Sequence, residues 1–414
     1  MPDLAFLSAS AGGFGLVNYS LRLPQCHVML VGPQSCGRHT SMGAHIRGYN
    51  ERNSYLFMDE ADIALGTIDD QIVNAVKEVL TMVPERPKVF IIMITCLPYI
   101  AGLDQDALLD RLRGSIDDMA FQVFLMNPVS AGTANSPGKI LYQRIGELWD
   151  TESEQDGSLN IIGSVIPPTK DSDFFEIMKE CDVTSVNHIG SYSDFESFRG
   201  MGRANWNLVL KNDCRVMTEK MRPRMDYHFC PVSYEPDVIR DMYESLFKMI
   251  GRSCELSQYE EEAMSSVERA ARELKGKSVC IGNVATMRAF GLARLMLSNG
   301  IRVTDIFRPS PDVAPPPEYD VEASVWVMKN HPEVRYHEVA APNMIHMIGD
   351  LCSVDIAIGY DAAYFTGCGH IVGSYDDAGN LGYRGTVRLM DGLVSSLDRE
   401  ADLKELLTEA NLVI

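Results

Sequence analysis

Two cysteines in this 414-residue chain stand where a sheet protein places its ligand-binding residues. Cys36 follows the apolar run Val28–Val31 within Gly32-Pro33-Gln34-Ser35-Cys36-Gly37-Arg38-His39. Cys96 follows the run Val89–Thr95 and comes before Gly102. Short continuous apolar runs of this kind predict buried parallel strands. The first segment nearly matches a phosphate-binding loop. Arg38 and His39, however, occupy the positions of the Lys that reaches the phosphates and of the hydroxyl that holds magnesium. Nucleotide binding therefore lacks its chemistry here. Small residues, backbone N–H groups and a thiol instead suit an anionic metal–sulfur cluster, whose sulfides accept hydrogen bonds. Two buried core thiols would leave the same mark, because free Cys is among the most buried residue types. The shared position after a strand favours the metal.

The elements that must position these thiols alternate. Strands are expected at Val28–Val31, Val89–Thr95 and Phe121–Met126, with helices at Asp69–Met82 and Asp104–Arg113. Thr67 and Asp70 read as a capping box for the first helix. The polar, acidic Asp150–Ser158 reads as a linker. Beyond it, strands are expected at Leu159–Val165 and Asn207–Leu210, and helices at Asp173–Lys179, Pro236–Ile250 and Gln258–Leu274. A third pass has strands Ser278–Ile281, Ile301–Ile306, Val334–Val339 and Val354–Ile358, and helices Ala285–Ser298, Thr386–Leu397 and Asp402–Leu407. The order implies an α/β chain of three Rossmann-like, doubly wound parallel-sheet domains, at 1–150, 151–275 and 276–414. Ligands of such sheets sit at the carboxyl ends of strands.

Composition excludes several classes. Thirty-seven basic against 57 acidic residues give a net charge of −20, the opposite of a nucleic-acid footprint. No apolar run reaches the ~18 residues of a membrane span, and Met1-Pro2-Asp3 has no basic leader region, so a cytoplasmic protein is expected. The ten cysteines form no CxxC, and in that compartment they stay reduced. The 22 methionines read as core filler, and Pro315-Pro316-Pro317 as a rigid loop. His228, in Tyr227-His228-Phe229-Cys230, has no visible acid–base partner.

Together these residues resemble a family. Gly32-Pro33-x-x-Cys36, Glu60-x-Asp62-Ile63-x-x-Gly66 and Ile94-Thr95-Cys96 with Gly102 are similar to the component-one subunits of nitrogenase. The superfamily includes light-independent protochlorophyllide reductases and the nickel-sirohydrochlorin reductive cyclase. The resemblance continues through Leu159-Asn160-Ile161-Ile162-Gly163, Ala204-x-x-Asn207-Leu208-Val209, Gly276-Lys277-Ser278-Val279 and Gly382-Tyr383-Arg384-Gly385 to Arg388-Leu389-Met390-Asp391. It implies an oxidoreductase subunit with an iron–sulfur cluster at a subunit interface, fed by an ATP-dependent [4Fe–4S] reductase. Gly32, Pro33, Cys36 and Cys96 would form the cluster site. An upstream ligand cysteine usual in the family is replaced here by Ser8-Ala9-Ser10-Ala11-Gly12-Gly13; Cys26 is the nearest spare thiol. Two thiolates per chain, doubled in a homodimer or in a heterodimer with a related chain, complete the four of a [4Fe–4S] cluster. Cys214 lies near the position of the family's cofactor cysteine. Val372 stands where the cofactor histidine is expected, with His370 and Cys368 nearby. A nitrogen-fixing cofactor is thus disfavoured, and Gly373–Asp377 is a candidate pocket wall. His39 and His370 are the candidate proton donors. The expected activity is electron transfer to an organic substrate, with a tetrapyrrole the best match. The alternative is a scaffold that assembles a metal cofactor and hands it on.

Overall fold

The computed structural model describes residues 15–46, 48–126, 136–221, 225–309, 316–346, 353–402 and 404. Residues 1–14, Cys352 and most of the helix expected at Asp402–Leu407 lie outside them. The chain separates into two compact units, one of Phe14–Val165 with Asn187–Tyr227, the other including Ile166–Val186 and His228–Ile414.

Three sheets organise the chain. The first has strands β1 (Cys26–Gly32), β2 (Asn53–Phe57), β3 (Val89–Ile94) and β4 (Ala120–Leu125), in the order β2-β1-β3-β4. β1 and β3 are buried along their whole length, as strands covered on both faces must be. The helix Ile68–Met82 turns Ile72, Val73 and Val76 onto a core that includes Phe90, Ile92 and Val123. Its expected capping box does not form. Thr67 makes no side-chain cap bond, and its Oγ1 instead accepts from Gln71 Nε2 at 3.3 Å. The helix expected at Asp104–Arg113 runs Gln105–Ser115, with Asp104 as its cap, accepting from the N–H groups of Asp106 and Ala107.

The second sheet has β5 (Leu159–Ile162), β6 (Val186–His188), β7 (Trp206–Val209) and β8 (Asp226–Phe229), in the order β6-β5-β7-β8. Asn160 and Asn207 face each other in its centre, fully buried and bonded at 2.9 Å. The expected linker Asp150–Ser158 has no helix or strand, yet it is pinned. Asp150 N donates to Arg199 O at 2.8 Å, and Asp156 N to Arg203 O at 3.0 Å.

The third sheet has β9 (Ser278–Ile281), β10 (Arg302–Arg308), β11 (Arg335–Glu338), β12 (Ile356–Ile358) and β13 (Ile371–Val372), in the order β11-β10-β9-β12-β13. Helix Pro236–Ile250 has the expected limits, with proline in its first turn and left-handed Gly251 (φ 78°) ending it.

In each sheet the first strand has its successor on one side and a later strand on the other. The winding therefore reverses between β1 and β3, between β5 and β7, and between β9 and β12. A crevice opens at the carboxyl ends of such strand pairs.

Candidate metal centre at the edge of the first sheet

Cys36 and Cys96 lie at the reversal point of the first sheet. β1 ends at Gly32, and a helix begins at Gln34 and runs to Ile46. Cys36 is its third residue and is exposed, with its N–H bonded to Pro33 O at 3.0 Å. The expected loop is thus the first turn of a helix, and the Cys36 amide is already engaged. β3 ends at Ile94, and Cys96 opens the short helix Cys96–Ile100, half-buried.

The two exits are locked together. Thr95 N donates to Val31 O at 3.0 Å, and Met58 N donates to Gly32 O at 3.1 Å. A β-carbon on Gly32 would fall inside the Thr95 side chain, so only glycine lets the strands approach this closely. Thr95 Oγ1 is buried without a hydrogen-bond partner. The edge carries exposed apolar side chains: Phe57 after β2, then Tyr99 and Ile100 (77% exposed) after Cys96. Tyr55 and Phe57 stack at 6.0 Å and, with Gln34, Ser35, Gly37 and Ser41, frame a hollow of about 560 Å³. Sequence reasoning named Thr95 only within the motif Ile94-Thr95-Cys96 and missed this apolar rim; the strand-end position of Phe57 was the available signal.

The other candidates are placed elsewhere. Cys26 opens β1, at the opposite end from Cys36; the strand's seven residues span roughly 20 Å. Burial pushes its thiol up to about 12. Cys214 ends a 3₁₀ turn and is fully buried, its Sγ packed toward Gly163. The His39 side chain lies outside the described residues. His370 Nδ1 lies 3.0 Å from Ser396 O and from Arg399 O, anchoring the end of helix Tyr383–Ser396. Cys368 Sγ donates to backbone carbonyls of Asp355 and His370 at 3.4 Å. Val372 is on β13. In Gly373–Asp377, Ser374 Oγ donates to Ala285 O at 2.7 Å, and Asp377 accepts from Met287 N at 3.3 Å. Burial lowers the pKa of His228 on β8.

The donor set fits part of a cluster. Thiolates are the ligands iron–sulfur clusters prefer, and both thiols reach one sheet edge. Among the described residues no three His, Cys, Asp or Glu side chains gather as a metal site. No described helix is long and apolar enough to cross a membrane.

Comparison with known proteins agrees with this architecture. No curated protein matches the chain. Among solved structures, nitrogenase Cp1 at pH 6.5 superposes with a TM-score of 0.70 at 16% identity, covering 92% of this chain and 91% of its own. Nitrogenase Cp1 at pH 5 gives 0.65 at 17%, covering 96% and 89%. The family model of nitrogenase component 1 type oxidoreductases matches residues 14–398. The chain, three parallel α/β sheets with a thiol pair at the first reversal point, therefore belongs to the nitrogenase component 1 type oxidoreductase family.

Proposed function

We propose that this chain is a cytoplasmic reductase subunit whose Cys36 and Cys96 hold half of a [4Fe–4S] cluster. The other two thiolates come from a second copy or a related chain. The observation that carries the reading is the thiol pair after adjacent strands, on an edge rimmed by exposed Phe57, Tyr99 and Ile100. Apolar side chains left in water beside a half-complete ligand set suit an interface, where they would be buried. When bound, the cluster supplies one-electron transfer at low potential. The chain's own part is to fix the thiols on rigid strand ends and exclude water with its apolar rim. Electrons would come from an ATP-dependent [4Fe–4S] reductase, since Arg38 and His39 leave this chain without phosphate-loop chemistry. The acceptor we assign is an organic substrate of the tetrapyrrole class.

The test is anaerobic reconstitution, followed by iron and sulfide analysis, paramagnetic resonance and sedimentation. The reading expects about two irons per chain in a dimer, from four thiolates shared by two chains. A monomer carrying a full four-iron cluster would overturn the shared site.

A further inference from the structure

Away from the sheet edges, a second pair of thiols meets. Cys181 ends the helix Asp173–Glu180, buried, with its N–H returning to Ile177 O at 3.1 Å. Cys254 lies between helices Pro236–Ile250 and Ser257–Glu273 and is half-exposed. The two thiol side chains lie close enough to interact with each other. The flanking residues confirm the approach: Arg252 Nε pairs with Asp182 Oδ2 at 3.2 Å. Both turns are fixed by the backbone. Left-handed Asp182 (φ 62°) donates to Lys179 O, and left-handed Gly251 donates to Phe247 O at 2.8 Å. Neither thiol belongs to the metal centre, and both are reduced.

We propose that Cys181 and Cys254 form a redox-active dithiol that closes to an intramolecular disulfide on reaction with a small-molecule disulfide. Side chains already in contact need little backbone movement to close a bond. Cys254 is the accessible member. As the thiolate it attacks one sulfur of the oxidant and releases one small thiolate. Cys181, after losing its proton, then attacks the Cys254 sulfur of the mixed disulfide and releases the second. Two protein thiols are oxidised, one small disulfide is reduced to two thiols, and no other reactant is needed.

The surroundings make closure slow at neutral pH. Burial and the neighbouring Cys181 and Glu180 push Cys254 up to about 12, and burial with Glu180 and Asp182 raises Cys181. Tyr243 faces the pair from helix Pro236–Ile250. Glu255 is turned away to cap Ser257, and the Arg252 charge is taken by Asp182. Below its pKa the thiolate fraction rises about tenfold per pH unit, and the attack rate with it.

The test uses the full-length chain, reduced anaerobically and incubated with glutathione disulfide from pH 7 to 9.5. It is then acid-quenched, alkylated and mapped by mass spectrometry without reduction. A peptide pair joining Cys181 to Cys254 is expected, forming about tenfold faster per pH unit, with a raised melting temperature that dithiothreitol reverses. Cys181→Ser should leave Cys254 as a glutathione adduct, and Cys254→Ser should leave Cys181 reduced. Recovery of both wild-type thiols as separate adducts or as free thiols at pH 9.5 would overturn the proposal. So would a link of either one to another cysteine.

Discussion

The first and third sheets are wound alike and finished differently. Where β1 and β3 part, the chain enters two helices that begin with exposed or half-exposed thiols. Where β9 and β12 part, Asp361 occupies the crevice. Its Oδ2 accepts from Asn283 N at 2.6 Å, and its Oδ1 is buried without a partner. The following loop is gathered the same way, with Met287 N held by Asp377. Backbone N–H groups that could greet a ligand are thus spent on the protein's own carboxylates. Topology makes a crevice in both sheets, and side chains decide whether it is filled from within. The shared feature is a glycine, Gly32 or Gly282, pressed by Thr95 or Asp361 from the neighbouring strand exit.

The largest effect expected from this contrast concerns metal. Cys36→Ala or Cys96→Ala should remove essentially all bound iron, whereas Asp361→Asn should keep it, as measured by anaerobic iron content per folded chain. Full iron in both cysteine variants would end the distinction between the two edges.

Next comes the shared glycine. Gly32→Ala forces a methyl into Thr95 and should cost roughly 1–3 kcal/mol in chemical denaturation. Adding Thr95→Ala should recover part of that loss, a coupling of about 0.5–3 kcal/mol. Gly282→Ala with Asp361→Ala should recover less, because the backbone oxygen of Ile358 also lies 3.0 Å from the added carbon. Equal recovery at both sites would mean that one mechanism closes both crevices.

A third effect is a pH dependence at the exit of the third sheet. Burial raises Asp361 from 3.8 to about 6 and Asp377 to about 7. Between the unfolded value and these, the folded chain holds more protons than the unfolded one. Stability contributed by the protonated forms is therefore complete at low pH and lost as pH rises from about 4 to 7. One such group changes stability by at most about 1.4 kcal/mol per pH unit. Asp377→Asn should remove its share of the slope, measured as the wild-type minus variant difference in denaturation free energy at pH 4.5 to 7.5. An unchanged slope would show that Asp377 stays ionised in the fold.

Much of this was legible in the sequence because its causes are local. The runs that became β1 and β3 are uninterrupted because both faces are buried, and Pro236 with Gly251 marks a helix whose limits the structure repeats. Where expectation and structure part, a distant residue intervenes. The helix expected at Ala285–Ser298 begins at Ala289, since Asp361 and Asp377 hold the preceding loop. Helix Glu318–Asn330 went unread because Val321, Val325 and Met328 are exposed while Ala323 and Val327 are buried, which blurs the apolar period.

By itself the sequence determined the α/β alternation, the three sheets and the placing of Cys36 and Cys96 after strands. Apolar runs, turn residues and helix starts act over a few neighbours. Only the tertiary structure decided that Cys36 lies in a helical first turn and that Cys181 meets Cys254, 73 residues further on. Those facts depend on which strands lie side by side and which helix ends come together. Burial of the assembled core selects that pairing, and no local pattern encodes it.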